Sequence, residues 1–167
     1  MRLTTVRQNM CLVSLVYCIN KDITVNECFR RRPLSCMITQ LCLEHGMPTD
    51  YSYEFFTMLE LGVYLKDTSV VSLLIHYGAN VDVDTGYPIR HAYMTGDDMF
   101  DILLAAGANV NLCPGYARTA LGTAIAYSSA LAVSKLLAAG AHITYFAAEC
   151  CTGIDRDEKI KLIEEYN

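Results

Sequence analysis

The sequence predicts an all-α fold: a helix-turn-helix solenoid whose units are joined by short β-hairpin loops. Three observations predict it. Similar glycine-centred turns recur at Tyr77-Gly78-Ala79-Asn80-Val81, Ala106-Gly107-Ala108-Asn109-Val110 and Ala139-Gly140-Ala141-His142-Ile143, and Glu44-His45-Gly46 ends a further apolar run. The four glycines are spaced 32, 29 and 33 residues apart, and a period of this size marks a repeat architecture. Apolar runs such as Leu73-Leu74-Ile75, Leu103-Leu104 and Leu136-Leu137 precede three of the turns, and Val63, Val70, Val71, Leu73, Leu74 and Ile75 supply more apolar surface than one helix pair can hide. Finally, 53 % hydrophobic against 19 % charged residues in 167 residues is the composition of a packed chain, with length enough for a sizeable core.

Taken in order, residues 10–19 form a lone second helix. Arg2 and Arg7 before this apolar run imitate a signal peptide, but Ile19-Asn20-Lys21-Asp22 offers no small-residue cleavage site, which favours a helix of the fold. Asn20 stands where glycine closes later units, and asparagine tolerates the left-handed backbone of a helix C-cap. Residues 25–32 are a short first helix stopped by Pro33, with Leu34–Glu44 as its partner. The most regular unit follows: segments 57–65 and 68–77, joined by Lys66-Asp67 and closed by Gly78. Thr57 and Thr119 sit where a hydroxyl can cap the helix that follows. Pro88 suits a first helical turn, where its missing N–H costs nothing. Gly62, Ala92 and Ala124 hold equivalent small positions that let helices approach closely. Leu73, Leu74, Leu103, Leu104, Leu136 and Leu137 form an apolar layer. At the C-terminal end, 144–151 reads as a poor first helix, Gly153 as a hinge and 155–166 as a polar capping helix. In that last helix Ile160, Leu162 and Ile163 face inward and Lys159 is among the residues that suit water.

These units resemble ankyrin repeats. Thr57-Met58-Leu59 stands for the family's Thr-Pro-Leu, and Leu73-Leu74-Ile75 for its leucine run. Arg118-Thr119-Ala120-Leu121 through Leu136-Leu137-Ala138-Ala139-Gly140-Ala141 is a second match. Gly86-Tyr87-Pro88-Ile89-Arg90-His91-Ala92 followed by Gly96-Asp97 is a third, with shorter loops. The resemblance implies one ankyrin-repeat domain over 1–167: a degenerate N-terminal part at 1–46, repeats at 47–78, 79–107 and 108–140, and a capping repeat at 141–167. Irregular repeat lengths with many cysteines and tyrosines are similar to those of viral or pathogen proteins that act on a host.

The composition excludes several functions. A net charge of −5 and pI near 5.3 work against a surface that tracks phosphates, and the single basic run Arg30-Arg31-Arg32 is a solvated or partner-facing helix edge. No segment reaches the ~18 apolar residues of a membrane span. The eight cysteines contain no C-x-x-C pair, and their placement in apolar runs reads as reduced thiols acting as small hydrophobes in a cytoplasmic or nuclear protein, the host cytosol if a pathogen encodes it. No phosphate-cradling loop, nucleophile elbow or metal-binding histidine motif occurs. Cys42 with His45, or Cys150-Cys151, would carry a redox or catalytic alternative, and a self-assembling unit is another. His91 reads as structural, hydrogen bonding between units. Asn111 in Ala108-Asn109-Val110-Asn111 resembles a site of asparagine hydroxylation, with hairpin hydrogen bonding the favoured role.

Binding is the better reading. In ankyrin-like stacks the loop tips and exposed faces of first helices line a groove, and the resemblance implies that a protein partner docks there. The tips map to 48–53, 83–87 and 112–117, with first-helix faces showing Arg90, Met94, Thr123 and Tyr127. Tyrosine recurs on this surface, and tyrosine anchors interfaces because it buries area at low rotamer cost. The expected partner-binding set is Asp50, Tyr51, Tyr53, Asp84, Tyr87, Arg90, Met94, Tyr116, Arg118, Thr123 and Tyr127. The expected protein is a monomeric adaptor, decoy or inhibitor, without catalytic residues, cofactor or metal, and without nucleic-acid or membrane partners.

Overall fold

A computed structural model of the chain describes residues 34–53, 56–113, 119–143 and 155–166. The helices expected at 10–19, 25–32 and 144–151, the Gly153 hinge and the basic run at 30–32 lie outside them. The chain divides between Asn80 and Val81 into two compact units.

In the first unit, α1 (Leu34–Glu44) is followed by a small antiparallel pair, β1 (Ser52–Tyr53) and β2 (Phe56–Thr57), and by α2 (Met58–Tyr64) and α3 (Thr68–His76). Ser52 faces Thr57 and Tyr53 faces Phe56 in the pair. Among the described residues this is the one β element. Thr57 starts α2 as expected and does more: its hydroxyl accepts the Glu60 N–H at 3.3 Å, while the Glu60 carboxylate accepts the Thr57 N–H at 2.6 Å. This reciprocal capping box satisfies two orphan donors at once and accounts for a glutamate only 3 % exposed. Lys66 takes φ 61 between the helices, and Asp67 caps α3 by accepting the Val70 N–H. The helices meet at Gly62, where a Cβ would lie 2.9 Å from Val71 Cγ2. α1 packs on α3.

The second unit comprises α4 (Val83–His91), a 3₁₀ turn (Ala92–Met94), α5 (Asp97–Ala105), α6 (Ala120–Tyr127), α7 (Ala130–Ala138) and α8 (Arg156–Glu165). α4 and α6 lie side by side as first helices, each packed on its partner, α5 or α7. α5 packs on α7, and α8 on the other neighbour side of α7. Ile89, Ala92, Phe100, Leu103, Leu121, Ala124, Ile125, Val133 and Leu136 fill the interior between these layers and are fully buried.

Helix ends repeat the same chemistry. Gly46, Gly78, Gly107 and Gly140 all take φ between 82° and 87°. Each glycine N–H donates three residues back, and the next N–H donates five back, as in Ala79 to Leu74, Ala108 to Leu103 and Ala141 to Leu136. This paired closure satisfies the last carbonyls of a helix and needs a left-handed residue at its centre.

Four expectations change. The tip expected at 83–87 is folded into α4, whose opening turn holds Asp84 at φ 43 and Gly86 at φ 80. Gly86 is required there twice over, since a Cβ would also lie 2.9 Å from Leu112 Cβ. Pro88 thus stands inside α4, two residues after its left-handed start. Leu73 and Leu104 are half-buried whereas their neighbours Leu74 and Leu103 are buried, because adjacent helical positions point ~100° apart; in the third pair Leu136 and Leu137 are both buried. Lys159, expected in water, is 1 % exposed and donates to the Ile125 carbonyl at 3.1 Å; it shares a helix face with buried Ile163 and reaches the open carbonyls at the end of α6.

Candidate protein-binding surface

α4 places Tyr87 and His91 four residues apart, hence on one face. Their rings stack with centroids 3.8 Å apart and planes 17° from parallel. The His91 Nδ1–H donates to the Tyr87 carbonyl at 3.0 Å, which locks the imidazole orientation and its tautomer, because a carbonyl can only accept. The 3₁₀ turn that follows winds more tightly than an α-helix and brings Tyr93 beside His91 at 6.2 Å. Tyr93 in turn meets Tyr127, the last residue of α6, at 5.2 Å with planes tilted by 32°. Four rings therefore run from one first helix to the next. Tyr87 and His91 are stacked in close contact, and the other two pairs lie at the separations usual for interacting rings. Tyr87, His91 and Tyr93 are half-buried, and Tyr127 is 59 % exposed.

The part of the chain that holds the row is acidic. Residues 81–167 carry eleven of the eighteen acidic and six of the thirteen basic side chains, so the whole net charge of −5 lies on this part of the chain. Asp84, three residues ahead of Tyr87, is exposed.

The expected binding residues fall into distinct places. Tyr87 and Tyr127 stand in the row, and Met94 is half-buried just beyond it. Arg90 and Thr123 do not face solvent: they are 7 % and 9 % exposed, and the Thr123 hydroxyl donates to the Arg90 carbonyl at 3.0 Å. They lie on the sides of α4 and α6 that touch each other, so they hold the first helices together. In the first unit Asp50 is exposed and Tyr51 half-buried, with the Tyr51 carbonyl accepting the Met58 N–H at 3.1 Å; Tyr53 lies in β1. Tyr116 and Arg118 lie outside the described residues.

Sequence reasoning missed two members of the row. His91, expected to bond between units, bonds to the Tyr87 carbonyl of its own helix, and Tyr87 was expected in a loop tip. Tyr93 left no signal, because at α-helical spacing it would point well away from His91 and only the 3₁₀ turn brings it round. Of the Cys42 and His45 pair, Cys42 is fully buried and the His45 ring bonds to the Leu41 carbonyl at 2.9 Å. Among the described residues no group of histidine, cysteine and carboxylate side chains could hold a metal ion, and no helix is long and apolar enough to cross a membrane. Cys150-Cys151 lie outside the described residues.

No protein-family model and no curated protein matches the chain. Among solved structures it is similar to the ankyrin repeat domain of human ASB11, with a TM-score of 0.72 and 22 % identity over 100 % of this chain and 84 % of that one. The chain has the ankyrin-repeat fold, in agreement with the resemblance carried by its turns and leucine runs.

Proposed function

We propose that this chain, with its ankyrin-repeat fold, is a non-catalytic binding module that docks a protein partner on the row formed by Tyr87, His91, Tyr93 and Tyr127. The observation that carries the reading is the row itself. Four rings held by one another on neighbouring first helices give a partner broad, rigid area with polar tips, the composition favoured at interface anchors. The fold supports the same reading, being one generally used to bind proteins. Burial of Cys36 and Cys42 speaks against a redox role for those thiols. In this reading the module works as a monomeric adaptor, decoy or inhibitor in the cytoplasm or nucleus, without cofactor, nucleic acid or membrane. Asp84 and Met94 flank the row and would extend the contact, and Asp50 and Tyr51 would serve as contacts on the first unit.

The test is affinity capture from cells with the full chain beside a Tyr93→Ala/Tyr127→Ala variant, read by quantitative mass spectrometry. The expected result is a partner recovered at least about tenfold less by the variant, the loss that two anchor residues produce. Far-ultraviolet circular dichroism and a thermal melt show that the variant is folded. Equal recovery of every bound protein by the two would refute the assignment.

A further inference from the structure

We infer that the ring row recognises arginine side chains on an extended basic segment of the partner; the inference rests on the binding function proposed above and names the chemistry of its ligand. Two observations point to a cation. The row presents aromatic faces and edges at 3.8, 6.2 and 5.2 Å spacing, and ring faces attract cations through their quadrupole. The part of the chain that holds the row is also acidic, with eleven acidic and six basic side chains. Of the six basic residues in this part of the chain, Arg90 and Lys159 are buried, and Lys135 is engaged with Asp101 at 2.7 Å. The exposed Asp84 lies at the start of the row, three residues before Tyr87. A basic segment approaching this unit is drawn in by its net charge and finds rings when it arrives.

Arginine fits better than lysine for a physical reason. Guanidinium is planar, weakly hydrated and able to stack on a ring while its N–H groups stay free for a carboxylate such as that of Asp84. An ammonium keeps more of its water and has no plane to stack. The spacing favours an extended segment: side chains on one face of a strand recur every ~6–7 Å, and His91 and Tyr93 are 6.2 Å apart. A nucleic acid would bring phosphates to an acidic surface, the wrong sign for binding.

The test begins with selection of a phage-displayed random dodecapeptide library on the immobilised full chain, with counter-selection against Tyr93→Ala/Tyr127→Ala. Peptides that bind the wild type only are synthesised with arginine, lysine or citrulline at their basic positions, and their affinities are measured by fluorescence polarisation. Expected are row-dependent peptides enriched in arginine, at least a tenfold loss with citrulline, and a smaller loss with lysine. Tyr127→Leu, which keeps apolar bulk but removes the ring, is expected to weaken the arginine peptides roughly 3- to 30-fold. Row-dependent peptides that lack basic residues, or that are indifferent to citrulline, would overturn the inference and leave the binding function standing. Selection of no peptide that depends on the row would overturn both.

Discussion

Asn111 uses both ends of its side-chain amide: Oδ1 accepts the His142 N–H at 2.8 Å and Nδ2 donates to the Gly140 carbonyl at 2.9 Å. Asp82, four residues after Gly78 as Asn111 is four after Gly107, makes the matching bond one repeat earlier by accepting the Asn109 N–H at 2.9 Å. This side chain at the same place in successive turns ties each loop to the next, the hairpin role expected for Asn111. Asn111→Ala should therefore lower the stability to urea unfolding by ~1–2 kcal/mol, modest because the freed groups are exposed and water can replace the amide. An unchanged unfolding midpoint would show that the loop tie contributes nothing. Arg90 illustrates a residue whose role is concealed in the sequence. In a regular helix the Asp84 carbonyl would accept the N–H of residue 88, but Pro88 has none. The Arg90 guanidinium takes its place, with Nη2 donating to the Asp84 carbonyl at 3.3 Å. Arg90→Leu keeps much of the buried stem yet deprives that carbonyl of its donor, so a loss of ~1–3 kcal/mol in chemical denaturation is expected. An unaltered midpoint would count against this account.

Helices in this chain end where a left-handed residue is available, and the glycines can be tested one at a time. A Cβ at Gly107 or Gly140 would meet nothing within 4 Å, so alanine there carries a backbone cost only. Gly107→Ala should destabilise by ~1–2 kcal/mol, the cost of forcing a side chain into left-handed backbone, and Gly107→Asn by less. Equal costs for the two would place the effect elsewhere. Gly62 differs in kind because it is helical and its constraint is contact. Helix propensity favours alanine there by ~1 kcal/mol, but Val71 Cγ2 at 2.9 Å must move, and a β-branched side chain has few alternative rotamers. Overpacking wins if the two helices cannot separate, and Gly62→Ala is then expected to lower stability by ~1–2 kcal/mol. A gain in thermal midpoint would show that the pair relaxes freely.

Over the whole molecule, the two compact units differ in charge. All of the net −5 falls on residues 81–167, the part that also holds the ring row. Within that unit each helix leans on the next: α5 on α7, and α8 on α7. Leu137, 4 % exposed on α7, lies in this chain of contacts, and Leu137→Ala should cost ~2–5 kcal/mol, the range for a truncated core leucine. A melting temperature unmoved by that substitution would refute the packing register. α8 turns Ile163 inward and leaves Asp157, Glu158, Glu164 and Glu165 exposed.

What the sequence determined by itself is set by local backbone chemistry. The period of the turns, the glycine at each helix end, the threonine caps at 57 and 119 and the helix at Leu34–Glu44 all follow from a few neighbouring residues, and each stands where the sequence placed it. Tyr127 was legible as a ring on a first helix, whereas Tyr87 was expected at a loop tip and stands on α4. The tertiary structure alone decided which side of each helix faces water. Arg90, Thr123 and Lys159 are polar by composition and buried by their neighbours, and no spacing rule announces that a carbonyl across the helix pair needs a donor. It also decided the row: a 3₁₀ turn after Ala92 rotates Tyr93 toward both His91 and Tyr127. That rotation depends on packing between α4, the turn and α6, contacts far apart in the chain, and it is this packing that converts scattered aromatic residues into a surface.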